Sequence, residues 1–556
     1  MHYFTILLVI AGVIAVISPE SSTQMTSSGN PLVIIPSGQL RGKIGKNFDG
    51  EEIYEFFGIP YAKPPVGERR FQPPEPPEPW SGIRNATEVA ESCISRDDFE
   101  RYITGSEDCL YLNVYTKRPL QTNSTLKPTM VFIHGGGLTV GSSSPHVYGP
   151  DFLLLKDIVL VTFNYRLGAL GFLSFDDPSL GVFGNMGLKD QVLALKWVRS
   201  NIRNFGGDPD NITIFGNSAG GSSVHAHILS KASKGLFHKA ILQSGCALNS
   251  WFWGSKNNGV ELVPDSKDQA EALKKLKTMD FREIFKVQEK IYDSPYPADR
   301  RPFSAVIETP NPTAFLDKNP VDIIKEGGYN EVPIMMGYTQ DEGMLLDLDK
   351  IEGKKMGVKV PDLELGQIIP VNLGVEKCSD SWREIAEALG KLYPPEALKT
   401  SYGPMTDSFF LVGIFESLKL HLKTSTLPIY LYRMSLNAGL NQLKILLNKT
   451  QEPGVGHSDE LGYLFHSSLT PPITPGSIED KSMRKFVDLW TNFARNGNPA
   501  LSQNSGSPSW LRVKEEKHIA VMDIGTELEM KRDIPERNRL EEWWKILDKY
   551  PLRTFS

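Results

Sequence analysis

Ile212-Thr213-Ile214-Phe215-Gly216-Asn217-Ser218-Ala219-Gly220-Gly221 is a β-branched and aromatic run that ends in Gly-x-Ser-x-Gly. The segment that follows, from Ser222 to Leu229, suits a helix, so the order is strand, sharp turn, helix, the setting of a nucleophile elbow. Such a turn strains the serine backbone, and glycines are needed where a Cβ would strike the neighbouring strand or helix. Ser218 Oγ would then stand exposed at the positive end of the helix. With 48 glycines in 556 residues, five such letters arise by chance about 0.3 times per chain, so the surroundings must decide.

Working outward, Thr129 to Ile133 runs into His134-Gly135-Gly136-Gly137, and Ile158 to Phe163 runs into Asn164-Tyr165-Arg166. Continuous apolar runs without alternation suit strands buried on both faces of a mostly parallel sheet. Between these strands and the elbow, Leu188, Val192, Ala194, Leu195, Val198 and Ile202 form one face of a helix over 185–204. Strand, helix, strand, elbow is α/β order. Attack by a serine on a carbonyl builds negative charge on oxygen. Backbone N–H groups of consecutive glycines can meet that charge without side-chain interference. Further along, Val332 to Thr339 predicts a strand that ends in Gln340-Asp341-Glu342-Gly343. A last core strand, Pro428 to Arg433, precedes the loop Gly454-Val455-Gly456-His457-Ser458-Asp459-Glu460. Among ten histidines, His457 alone occupies a glycine-flanked loop after a late strand. Serine, acid, histidine is the chain order of an α/β-hydrolase.

Toward the N-terminus, Leu32 to Ile44 predicts a hairpin with Gly38 and Gly42 as turn residues. The first residues are apolar from Thr5 to Ile17 and then turn to Ser18-Pro19-Glu20, the length of a signal-peptide core and short for a membrane span. The expectation is a leader over 1–22, cleaved between about 18 and 24, then one domain over 30–550, in a secreted, extracellular protein. The triplets beginning at Asn85, Asn123, Asn211 and Asn448 are glycosylation sequons. A net charge of −6 gives no reason to expect nucleic acid, and the C-terminus carries no lipid-anchor tail. Four cysteines allow three pairings. Cys93 with Cys109 closes a short loop that gains roughly 3 kcal/mol from a disulfide, whereas Cys246 and Cys378 are far apart. No cysteine or histidine cluster has metal spacing, so no metal is expected.

These residues together resemble the type-B carboxylesterase family, and most of all its secreted insect members. Glu107-Asp108-Cys109-Leu110-Tyr111-Leu112-Asn113 is similar to one family signature and Phe215 to Gly221 lies within another. His134 to Gly137, Asn164-Tyr165-Arg166 and Gly184 to Gln191 add to the likeness, which spans about Leu32 to Trp544. The resemblance implies an α/β-hydrolase fold with a large, mostly parallel central sheet covered by helices on both faces. It implies Ser218 as nucleophile, Glu342 rather than Asp341 as triad acid and His457 as base, with Gly136, Gly137 and Ala219 as oxyanion-hole donors. It also implies a Cys93–Cys109 disulfide, structural ion pairs Arg70–Glu107 and Arg166–Asp190, Trp251 in the acyl pocket, Ser244 behind the triad and Glu460 supporting the histidine loop. Neither cofactor nor metal is implied, and the partner is a small ester; the oligomeric state stays open.

Two departures bear on specificity. Asn217 stands where cholinesterases carry Glu and typical juvenile hormone esterases carry Gln, and the 94–108 loop has no Trp to face a choline cation. A generalist secreted esterase is therefore the main expectation. A juvenile hormone esterase-like enzyme is the first alternative, and a non-catalytic adhesion or binding member of the fold is the alternative from another class.

Overall fold

The computed structural model describes residues 24–25, 29–96, 102–119, 125–292, 302–348, 350, 363–501 and 506–553. The expected leader over 1–22 and the sequon at Asn123 lie outside these residues. Eleven strands form the central sheet. In chain order they are β1 (Lys43–Lys46), β2 (Glu52–Pro60), β3 (Tyr111–Thr116), β4 (Lys127–Ile133), β5 (Val159–Phe163) and β6 (Gly207–Asn217). They continue with β7 (Lys239–Gln243), β8 (Ile334–Thr339), β9 (Ile429–Met434), β10 (Val521–Ile524) and β11 (Leu528–Lys531). Across the sheet the order is β11-β10-β9-β8-β7-β6-β4-β5-β3-β2-β1. The run from β10 to β5 is parallel and both margins are antiparallel.

The unbroken apolar runs have the cause expected of them. On β4, Val131 and Ile133 pack into one apolar cluster while Met130 and Phe132 pack into another on the opposite face. Successive side chains point to opposite faces of a strand, so burial on both sides demands an apolar residue at every position. The helices Met186–Asn201 and Ala219–Leu229 cover the first face through Leu188, Val192, Val224 and Ile228. The helix Ile478–Asn496 covers the second through Met483, Phe486, Trp490 and Phe493. The architecture is thus a mostly parallel sheet with helices on both faces, the α/β-hydrolase arrangement.

The N-terminal hairpin differs from its expected form. Pro31–Ile35 pairs with Gly38–Arg41, the turn falls at Pro36-Ser37, and the chain then passes at Gly42 into β1 of the large sheet. Gly38 lies in a strand at φ 148°, where an added Cβ would meet the Trp80 ring at 2.4 Å. It is there to admit Trp80, whose Nε1 donates to Gln39 O at 3.0 Å. The Cys93–Cys109 disulfide is present; Cys246 is buried, Cys378 is exposed, and neither is disulfide-bonded.

Candidate active site

The ends of β4, β6, β8 and β9 surround one cavity of about 320 Å³, lined among others by Gly136, Gly137, Ser218, Trp251, Phe410 and His457. Loops at the C-terminal edge of a parallel sheet are where such folds carry ligands.

Ser218 follows β6 directly, at φ 59° and ψ −124°, and caps the helix that starts at Ala219. This backbone conformation is strained for a residue with a Cβ. The turn is affordable sterically only because of what flanks it. A Cβ on Gly216 would sit 2.6 Å from Ile133 O, and one on Gly220 would sit 2.0 Å from the same oxygen. The helix therefore begins three residues earlier than its composition predicts, with the Gly220-Gly221 pair inside its first turn.

Across from the serine, Gly136 and Gly137 adopt φ 99° and 62°. Among the described residues no hydrogen bond uses their N–H groups, while Gly136 O accepts from Thr139 N and Val140 N, each at 3.0 Å. Ala219 N belongs to the first turn of a helix, where amides have no intrahelical acceptor. His134 anchors this loop. Its Nδ1 contacts Gly135 O at 2.9 Å, its ring stacks on Tyr165 at 4.3 Å, and Tyr165 Oη donates to His134 O at 2.9 Å. Burial pushes the His134 imidazole down to about 4, so it stays neutral at physiological pH.

Glu342 begins the short turn after β8 and is fully buried. Its Oε1 accepts from Thr339 N at 2.8 Å, and its Oε2 contacts His457 Nδ1 at 2.5 Å. Asp341, the neighbouring carboxylate, turns the other way and accepts from Val455 N at 3.1 Å, pinning the histidine loop to the end of β8. With Nδ1 held by Glu342, His457 presents Nε2, which makes no hydrogen bond among the described residues. The Phe410 ring packs on the imidazole at 4.7 Å.

Asp459 and Glu460 sit fully buried beneath this loop. Asp459 accepts from Gly456 N at 2.6 Å and from Asn441 Nδ2 at 3.0 Å; burial nevertheless pushes it up to about 6. Glu460 Oε1 accepts from Asn217 Nδ2, Gln243 Nε2 and Tyr432 Oη at 3.1, 3.2 and 3.4 Å. Burial, and then the nearby Glu342 charge, push Glu460 up to about 7. Ser244, at φ 51°, follows β7 behind the elbow, and its hydroxyl is buried.

Trp251 lines the cavity, and its Nε1 donates to Phe409 O at 2.8 Å. That carbonyl lies in Thr406–Leu411, a π-helical turn, an arrangement that recurs at functional sites. Asn249 Nδ2 bonds Phe409 O and Phe410 O at 2.7 and 2.9 Å. Phe409 and Phe410 are cavity residues that sequence reasoning missed; an aromatic pair in an apolar helical run is ordinary core in any single sequence. Among the described residues, no side chain that ordinarily ionises below pH 9 lines the cavity apart from His457, and no Lys or Arg does.

The remaining expected residues lie in the frame. Arg70 meets Glu107 through two bonds of 2.6 Å, and Arg166 meets Asp190 at 2.6 and 2.8 Å, both pairs buried or nearly so. Asn85 and Asn448 are exposed. Asn211 is partly buried and its amide is engaged by Lys239 and by Arg495 O. Among the described residues no group of three or more His, Cys, Asp or Glu is placed to hold a metal, and no helix is long and apolar enough to cross a membrane.

Comparison with known proteins agrees with this geometry. Residues 29–543 match the carboxylesterase family. The chain is 34% identical to Esterase B1 of Culex pipiens over 528 residues, covering 91% of this chain and 96% of that one. It is 35% identical to the juvenile hormone esterase of Tribolium castaneum over 538 residues, 89% and 88% of the two chains. The crystal structure of juvenile hormone esterase from Manduca sexta superposes with a TM-score of 0.80 at 27% identity, over 93% of this chain and 99% of that one. The chain belongs to the carboxylesterase family and is a carboxylic ester hydrolase; the reading as a binding protein without catalysis falls away.

Proposed function

From membership of the carboxylesterase family, we propose that the protein is a secreted serine esterase that hydrolyses small neutral carboxylic esters within one domain over 30–550. Ser218 Oγ attacks the ester carbonyl while His457 Nε2 takes its proton. Glu342 holds the imidazole by Nδ1 and stabilises the imidazolium that forms. The N–H groups of Gly136, Gly137 and Ala219 receive the developing oxyanion. His457 then protonates the departing alcohol, and water releases the acid from Ser218 by the same route in reverse. The observation that carries this reading is the 2.5 Å Glu342–His457 contact, which engages Nδ1 and leaves Nε2 without a partner among the described residues, on a residue that lines the same cavity as Ser218. Trp251, with Phe409 and Phe410, is proposed to bound the acyl side, and Ser244 and Glu460 to support the triad from behind. Asn85, Asn448, Asn123 and Asn211 are proposed glycan acceptors, Asn211 only with its present amide contacts broken.

The described lining residues are rich in aromatic rings and include no carboxylate, which favours neutral apolar esters over choline esters. The relatedness to two juvenile hormone esterases supports that hormone class as a second reading. The test is kcat/KM on p-nitrophenyl esters from acetate to octanoate, with juvenile hormone and acetylthiocholine alongside. Ser218→Ala is expected to lower kcat by about 10⁴-fold or more and to abolish stoichiometric titration by an organophosphate. Turnover retained in that variant would overturn the assignment.

A further inference from the structure

Asn217 and Ser458 both line the cavity, one immediately before the nucleophile and one immediately after the histidine, and they are joined. Ser458 Oγ donates to Asn217 Oδ1 at 2.6 Å, while Asn217 Nδ2 donates to Glu460 Oε1 at 3.1 Å. One carboxamide therefore ties the elbow to two positions of the loop that carries His457. Ser458 has φ 69°, a left-handed conformation in which glycine is the low-energy residue. The bond from its hydroxyl to Asn217 offsets that strain. Ser458 also begins the turn Asp459–Tyr463, so its backbone sets the direction in which His457 leaves the loop.

We propose that Asn217 and Ser458 are positioning residues, forming a latch between the elbow and the histidine loop that holds His457 Nε2 toward Ser218 Oγ. The latch deepens the catalytic reading above and rests on it. It also accounts for the residue type at 217. The site needs one group that accepts from a hydroxyl on one side and donates to a carboxyl oxygen on the other, and a primary amide does both. A carboxylate at 217 would instead face Glu460 across 3.1 Å. The other groups around Glu460 are Glu342 and His457 at the triad, Tyr432 on β9, Asp459 beside it, and the uncharged Gln243 on β7, itself held by Trp490.

The test measures kcat and KM separately for the full chain between pH 5 and 9, using p-nitrophenyl butyrate. Ser458→Gly removes the hydroxyl and relieves the strained backbone, so folding is retained. Asn217→Ala removes the amide from the other side. Each is expected to lower kcat about tenfold with KM within about twofold, and the double variant to lower it about tenfold again in total rather than a hundredfold, because both break one interaction. Asn217→Asp brings a charge to the loop, stabilises the imidazolium and moves the acid limb of kcat to higher pH, whereas Ser458→Gly leaves the limb in place. Wild-type kcat in Ser458→Gly, independent effects in the double variant, or an unmoved limb in Asn217→Asp would each overturn the latch. Ser218→Ala run in the same series separates the two failures: turnover there sinks the catalytic reading, and full activity of the latch variants beside an inactive Ser218→Ala sinks the latch alone.

Discussion

The two walls of the cavity are held by different means. On the serine wall the functional groups are placed by backbone: Ser218 at φ 59°, Gly136 and Gly137 at φ 99° and 62°, and a helix start packed against the end of β4. On the histidine wall they are placed by side chains: Asp341 on Val455 N, Asp459 on Gly456 N and Asn441, and Glu342 on His457. Backbone construction leaves no room for added volume, and the imidazole that anchors it, His134, is held neutral at physiological pH by burial. Side-chain construction tolerates small changes of shape but answers to protons.

The largest effect should come from adding volume to the serine wall. Gly220→Ala would place a methyl group 2.0 Å from Ile133 O and 2.9 Å from His134 O, backbone atoms that cannot rotate away. The elbow and the glycine loop must separate, so we expect kcat/KM to fall at least about 10³-fold, together with a stability loss of several kcal/mol. Near-normal activity in a folded Gly220→Ala would break the contrast, since it would mean that the elbow yields as readily as a loop.

On the histidine wall a change of charge at constant shape should separate activity from stability. Glu342→Gln keeps the size of the side chain and an oxygen for Thr339 N, but on the proposed mechanism it would no longer stabilise imidazolium or fix the tautomer. The expected outcome is a kcat loss of about 10³- to 10⁴-fold with a melting temperature close to that of the parent. A comparable loss of stability, as in Gly220→Ala, would show that this wall too is built for support.

The same division governs what could be read from the chain alone. The elbow, the glycine loop and the buried strands are local patterns: each needs only neighbours in sequence, and each lies where it was expected. The helix start at Ala219 was misplaced because Gly220-Gly221 reads as a helix breaker, although here both glycines serve a close crossing with β4 and β7 backbone. Without the family resemblance, which places the acid immediately before Gly343, Glu342 and Asp341 are equivalent local candidates. What separates them is a partner more than a hundred residues away, Val455 for one and His457 for the other. The π-helical turn and its aromatic pair depend on Asn249 and Trp251, again distant in sequence. Side-chain networks that join remote segments leave no periodicity to detect.

The smallest predicted effect is also the one that tests the comparison through pH. Behind the serine wall, burial holds His227 down to about 3 and His421 to about 4. Unfolding lets such groups take up protons near pH 6.5, so the stability they contribute is complete above that pH and is lost as pH falls toward 4. Glu460 on the histidine wall works in the opposite sense. Its carboxyl ionises at about 7 when folded against about 4.5 when unfolded. The folded state then holds a proton that the unfolded state has released, so stability declines as pH rises from about 4.5 to 7 and stays lower above. The shift corresponds to about 3 kcal/mol. Glu460→Gln keeps an oxygen for Asn217, Gln243 and Tyr432 and removes the ionisation. Any penalty for the new, unpartnered amide N–H applies equally at every pH. The melting temperature of Glu460→Gln relative to the parent should therefore climb between pH 4.5 and pH 8 and level off beyond. A flat difference across that range would mean that Glu460 is ionised throughout, and that the histidine wall does not answer to protons.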